Sequence, residues 1–124
     1  MSDDMGEYAE LAFNEGIEQY YDEMLKPSNH MFSKVVGSTF VEGGQERLAS
    51  LNSNEELKLI EEPENPFDSN AIAVYHKDKR IGYLPKNTAV SVKELMEEND
   101  LVCKVSEVTG GNGNHYGCNL SISW

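Results

Sequence analysis

The chain has 124 residues, a formal net charge of −12, 39% hydrophobic residues and two cysteines. That length suits one domain and is short for two, and no apolar run is long enough to span a bilayer. Two cysteines without a C-x-x-C are too few for a disulfide framework, and the acidic balance opposes bulk attraction to nucleic acid or anionic lipid.

The opening Met1-Ser2-Asp3-Asp4 carries neither a basic nor an apolar stretch, so no secretory signal is expected. With free thiols as the expected cysteine state, the expected compartment is the cytoplasm. Charge is spread unevenly. Residues 1–33 hold eight acids against Lys26, a net of −7, whereas residues 34–124 hold fourteen acids and nine bases, a net of −5. Within the first segment Phe13, Ile17, Tyr20, Tyr21 and Met24 recur at helical spacing beside Glu15, Glu18, Asp22 and Glu23. The pattern predicts an amphipathic helix over residues 6–25, ended by Pro27, Ser28 and Asn29. Its aromatic stripe has two readings. It packs on the domain or on a second copy of itself, forming a homo-oligomer, or the acidic helix lies across a basic groove as a phosphate mimic that inhibits binding.

From residue 34 the pattern becomes that of strands. Lys34–Val41 is rich in β-branched residues and predicts the first strand, which Gly43-Gly44 breaks. Gln45–Leu51 suits a short helical turn with Leu48 and Leu51 inward. Glu56–Glu61 alternates as a half-buried strand does. A two-proline acidic loop over Pro63–Asn70 leads into a third strand, Ala71–His76, and a tight polar turn at Lys77-Asp78-Lys79 returns Arg80–Leu84 as a hairpin partner. Pro85 closes that strand. Ala89, Val92, Leu95 and Met96 predict a helix over Thr88–Glu98 with Asn87 as its cap. Leu101–Thr109 is a fifth strand, Gly110–Asn114 a flexible turn, and the alternation of Cys118, Leu120, Ile122 and Trp124 marks a sixth. The expected fold is mainly β: a small, six-stranded, OB-like and partly closed barrel with a helix between strands 4 and 5, preceded by the N-terminal amphipathic helix. Cys103 and Cys118 fall in strand patterns and are expected to be buried thiols.

Catalytic and metal chemistry find no constellation. His30, His76 and His115 lie far apart, and His115-x-x-Cys118 has no second ligand pair. Ser38, Ser91 and Ser106 lack a nucleophile elbow. The glycines at 110–113 lie between strands, which is hairpin chemistry. Neither an enzyme nor a cofactor is expected. The informative stretches are instead Glu62-Pro63-Glu64-Asn65-Pro66-Phe67-Asp68-Ser69-Asn70-Ala71-Ile72-Ala73-Val74 and Arg80-Ile81-Gly82-Tyr83-Leu84-Pro85-Lys86. They gather an Asn, an Asp, two aromatic rings and a Lys at one corner of the domain, a set suited to gripping one end of a polar, ring-bearing ligand such as an exposed nucleotide. Structural readings stand beside this one. Phe40, late in a strand, fits the core; Phe67 fits a plug over a barrel end; Asp68 with Asn70 forms a turn-capping pair. Lys77, Lys79 and Arg80 suit a solvated hairpin tip, and Gly82 permits close backbone approach. Lys86, near a helix start where a cation is unfavourable, gains from facing an anion.

These segments resemble the HIRAN domain family, found alone in bacteria and fused to SNF2-type helicases in eukaryotes. The resemblance covers roughly residues 34–124. It rests on Val35-Val36-Gly37, on Glu62-x-Glu64-Asn65-Pro66-Phe67-Asp68-x-Asn70-Ala71-Ile72-x-Val74, on Ile81-Gly82-Tyr83-Leu84-Pro85, and on Val105-x-x-Val108-Thr109-Gly110-Gly111. Residues 1–33 form an extension outside it. The resemblance implies a modified OB barrel and a non-catalytic module that grips the 3′ end of single-stranded DNA, in DNA repair or processing, beside a helicase or nuclease partner. By resemblance Phe40 and Phe67 stack on bases, Asp68 meets the 3′-hydroxyl, Asn65 a base edge and Lys86 a phosphate, while Tyr83 and Tyr116 line the pocket. Two positions depart from the DNA-binding pattern: Thr39 stands where an Arg is found, and Tyr83 where a His is found. With fewer cations, DNA binding is expected to be weak. The alternative is a protein-interaction or self-assembly module whose DNA-binding face has decayed.

Overall fold

The computed structural model describes residues 29–124. The expected helix over residues 6–25 lies outside them, and with it the oligomerisation and autoinhibition readings. In chain order the elements are β1 (His30–Lys34), a 3-10 turn (Ser38–Phe40), α1 (Gly44–Ala49), β2 (Glu56–Glu61), β3 (Ile72–His76), β4 (Lys79–Tyr83), α2 (Lys86–Glu98), β5 (Val102–Gly111) and β6 (Asn114–Ser123). The strands form one antiparallel sheet in the order β1-β6-β5-β2-β3-β4. The sheet curls until its two edges meet. Val36, just beyond β1, exchanges two backbone hydrogen bonds with Tyr83 at the end of β4, each 2.8 Å. A half-barrel is the result, with the expected helix between strands 4 and 5.

Closure depends on Gly82. A Cβ at that position would lie 2.4 Å from Val35 Cγ1 and 2.7 Å from the Val36 carbonyl oxygen, so only a bare backbone lets β4 approach the first strand. Inside the curl Leu48, Ile72, Val74, Ile81, Val105, Leu120 and Ile122 are fully buried, joined by Ala89 and Val92 from α2. The expected inward pair Leu48 and Leu51 is buried as anticipated. Cys103 and Cys118 are free and buried. Burial pushes the Cys103 thiol up to about 12, with a smaller contribution from Cys118, and pushes Cys118 up to about 11.

Four local expectations are corrected. The first strand spans His30–Lys34 rather than Lys34–Val41, because Gly37 takes a left-handed conformation (φ 74°) and turns the chain into the 3-10 segment that carries Phe40. The β-branched run signals extended backbone, but the glycine within it ends the strand. Helix α2 starts at Lys86, immediately after Pro85, and Asn87 lies inside its first turn without capping it. The fixed φ of Pro85 sets the helix start in its place. The hairpin expected at 110–114 is present but its turn is shorter than the flexible stretch expected: β5 runs through Gly111, β6 begins at Asn114, and only Asn112 and Gly113, both at positive φ, form the turn. Asn-Gly is the pair that a hairpin turn of this hand favours. The fourth correction, at Arg80, bears on the site.

Candidate nucleic-acid interface

The loop between β2 and β3 is organised by its own side chains. Glu62 N–H bonds the Ala71 carbonyl at 2.9 Å and closes the base of the loop. Asn65 Oδ1 accepts from the backbone N–H groups of Phe67 and Asp68 at 2.8 and 3.2 Å, and Asp68 Oδ1 accepts from the Asn70 N–H at 2.9 Å. Short polar side chains that bond nearby backbone in this way hold a turn without regular structure. Lys93 of α2 donates to Asn70 Oδ1 at 3.2 Å and ties the loop to the helix. Asn65 and Asp68 thus fix the path of the loop, and Phe67 is left at its outer face, 91% exposed.

Across from this loop stands the 3-10 turn. Its Phe40 is 93% exposed, so Phe40 belongs to the surface and not to the core, and Phe67 does not plug a barrel end. Between them runs an open groove of about 920 Å³, lined by Val36, Val41, Pro63, Tyr83 and Leu84 among others, with Glu62, Glu64, Asn65, Asp68, Arg80 and Lys86 as its polar and charged members. Six of the eight residues expected at the site therefore share one groove: Phe40, Asn65, Phe67, Asp68, Tyr83 and Lys86. Thr39 is exposed beside Phe40 but does not line the groove. Tyr116, on β6, does not line the groove either; its backbone N–H and carbonyl are bonded by the side chain of Gln45 at 2.6 and 2.9 Å.

The floor of the groove carries a polar network centred on Glu62. Its Oε1 accepts from Tyr83 Oη at 2.9 Å and from Asn65 Nδ2 at 3.0 Å, and its Oε2 lies 3.4 Å from Arg80 Nη1. Arg80 Nη1 also donates to Tyr83 Oη at 2.9 Å, and its guanidinium lies 5.5 Å from the centre of the Tyr83 ring. Partial burial acts to raise the Glu62 carboxyl, but the Asn65 and Tyr83 hydrogen bonds and the Arg80 charge outweigh it and hold the group below its ordinary value. Burial raises the Tyr83 hydroxyl, as do the hydrogen bond to Glu62 and its charge. Asn65 spends its carbonyl oxygen and one amide N–H on the loop, leaving one N–H for a ligand. Asp68 keeps its second oxygen without a hydrogen bond among the described residues.

Arg80 is the residue that the sequence pattern misplaces. In a regular strand residues 80 and 83 point to opposite faces. A bulge in β4 changes this: Val74 pairs with Gly82 while Tyr75 pairs with Arg80, so Ile81 is an extra residue. The added residue re-aims the side chain before it, and Arg80 leaves the hairpin tip for the groove. Nothing in the alternation of Arg80-Ile81-Gly82-Tyr83 announces a bulge; a glycine in a strand was the one available sign.

The HIRAN domain family model matches residues 28–124, more than three-quarters of the chain. The chain belongs to the HIRAN domain family. Among solved structures this HIRAN domain is similar to the HIRAN domain of human HLTF, with 26% identity, a TM-score of 0.60, and coverage of 77% of this chain and 74% of that one. It is also similar in fold to a protein from Lactobacillus plantarum at 19% identity and TM-score 0.60, covering 77% of this chain and all of that one. No curated protein matches the chain.

Proposed function

We propose that this HIRAN domain is a non-catalytic module that binds single-stranded nucleic acid in the groove and grips a strand end carrying a free 3′-hydroxyl. One observation carries the proposal: Phe40 and Phe67, on two separate loops, are almost fully exposed on the same groove, with the half-buried carboxylate of Asp68 within it. Large exposed apolar rings gathered at one groove are a mark of a binding surface. Base stacking on such rings contributes about 1–3 kcal/mol per base and tolerates any sequence. The free oxygen of Asp68 can accept a hydrogen bond from a terminal hydroxyl and would repel a phosphate in its place. Asn65 offers one N–H to a base edge, and Lys86 offers a charge to the backbone. Such a grip suits DNA repair or processing, with a helicase or nuclease supplying the chemistry.

The test is fluorescence anisotropy with 5′-labelled single strands ending in a 3′-hydroxyl or a 3′-phosphate. The hydroxyl end is expected to bind more tightly, and Asp68→Asn is expected to shrink that preference. Equal binding of both ends removes the end-recognition role of Asp68. Absence of binding at low salt rejects nucleic-acid binding and favours the protein-interaction reading, which light scattering of the full chain then examines.

A further inference from the structure

We infer that Arg80 is a phosphate-binding residue of the groove and that Glu62 is its intramolecular competitor, a carboxylate holding the guanidinium until a strand displaces it. The inference rests on the nucleic-acid reading above and deepens it. The site needs cations, because Glu62, Glu64 and Asp68 line the groove and Lys86 is the one other cation among its described lining residues. Arg80 supplies one from β4, through the bulge that turns it into the groove.

The geometry makes Arg80 transferable. Its side chain is 42% exposed, so a phosphate can reach it. The contact with Glu62, at 3.4 Å, is long for a charge-assisted hydrogen bond, which ordinarily falls near 2.7–2.9 Å. Only Nη1 has partners among the described residues, so most of the five N–H donors of the fork remain for a ligand. Departure of Arg80 leaves the Glu62 carboxylate hydrogen-bonded. Glu62 keeps the hydroxyl of Tyr83 and the amide of Asn65, at 2.9 and 3.0 Å. The Tyr83 ring beneath the guanidinium gives it a surface on which to swing, within the range of a cation–π contact. A lysine could not replace it fully, since the planar fork matches two phosphate oxygens at once.

The experiment uses the full chain and a short 5′-fluorescein oligothymidylate with a free 3′-hydroxyl, titrated across a potassium chloride series. Wild type, Arg80→Gln, Glu62→Gln and the double variant form a cycle. Arg80→Gln is expected to weaken binding about fivefold at low salt and to flatten the log–log salt slope by about 0.7, the share of one phosphate contact on a single strand. Arg80→Lys is expected to keep that slope while binding less tightly than wild type. Glu62→Gln is expected to tighten binding in the wild-type background and to change nothing when Arg80 is absent, because it acts through Arg80. The preference for a 3′-hydroxyl over a 3′-phosphate is expected to survive Arg80→Gln, since Asp68 is untouched. Wild-type binding with an unchanged affinity and slope in Arg80→Gln overturns the inference and leaves the nucleic-acid reading standing. A Glu62→Gln gain that persists in the double variant overturns the competitor role, since Glu62 then acts as general repulsion. No binding by wild type overturns both.

Discussion

Phe40 and Phe67 contribute almost nothing to the core, at 93% and 91% exposure, and their removal separates binding from stability. Phe67→Ala is expected to lower single-strand affinity about tenfold, within the 1–3 kcal/mol of one stacked base, while the melting temperature stays within a degree or so of wild type. Anisotropy and thermal melts on the same samples check this; a large fall in melting temperature would return Phe67 to the core. The two thiols behave in the opposite way. Cys103 and Cys118 are buried, and their thiols are pushed up to about 12 and about 11, so the thiolate is scarce at neutral pH. Iodoacetamide at mildly alkaline pH is expected to leave both unmodified in the native protein and to alkylate both in denaturant, as intact-mass spectrometry would show.

At the scale of elements, the half-barrel is closed where Val36, just beyond β1, bridges Tyr83 of β4. The same contact positions the groove, since Val36, Gly37 and Tyr83 line it. Closure and site are therefore coupled. Gly82→Ala forces a methyl group into Val35 and the Val36 carbonyl and is expected to cost about 1–3 kcal/mol, in line with other over-packed positions. Chemical denaturation measures that loss, and binding should weaken beyond the effect on the folded fraction because Tyr83 and Arg80 shift with β4. A neutral Gly82→Ala would show that the edges meet less closely. The bulge in β4 illustrates how an element can hide a groove residue: one extra residue, Ile81, places Arg80 beside Tyr83.

For the molecule as a whole, the formal net charge of −12 sets the conditions under which anionic ligands are met. Binding to nucleic acid is expected to be confined to the groove and to fall with salt at a log–log slope of about 1.4, the share of the two cations Arg80 and Lys86. Acid also acts on the fold. Glu55 is lowered by its backbone hydrogen bond with Asn52 and by His76, and Glu62 by the network that outweighs its burial. A carboxyl lowered in the folded state contributes stability above its unfolded value, here 4.5, and that contribution disappears as pH falls through the folded value. Thermal stability is therefore expected to drop below about pH 4.5. The Glu55→Gln, Glu62→Gln double variant is expected to show a shallower drop in calorimetry; an unchanged acid limb would place the titrating groups elsewhere.

Much of this was legible in the residues. Alternation in Cys118–Trp124, the apolar run after Asn70, and the amphipathic spacing of Ala89, Val92 and Leu95 depend on local periodicity, which any chain must satisfy to bury one face. The order of strands and helix and the free thiols follow from that periodicity and from composition. The Asn65-Pro66-Phe67-Asp68 signature identified the groove because its turn chemistry is local, with Asn65 and Asp68 each bonding backbone within three residues. Tertiary structure decided the rest. Whether Phe40 was core or surface depended on a left-handed Gly37 that ends the strand, and periodicity carries no record of such a turn. That Arg80 lines the groove and Tyr116 does not depended on sheet curl and on a bulge, both set by pairing between distant segments. The sequence by itself determined which residues could form a polar, aromatic binding corner; only the closure of β4 on the first strand decided which of them share it, because proximity across the chain is a property of packing and not of spacing.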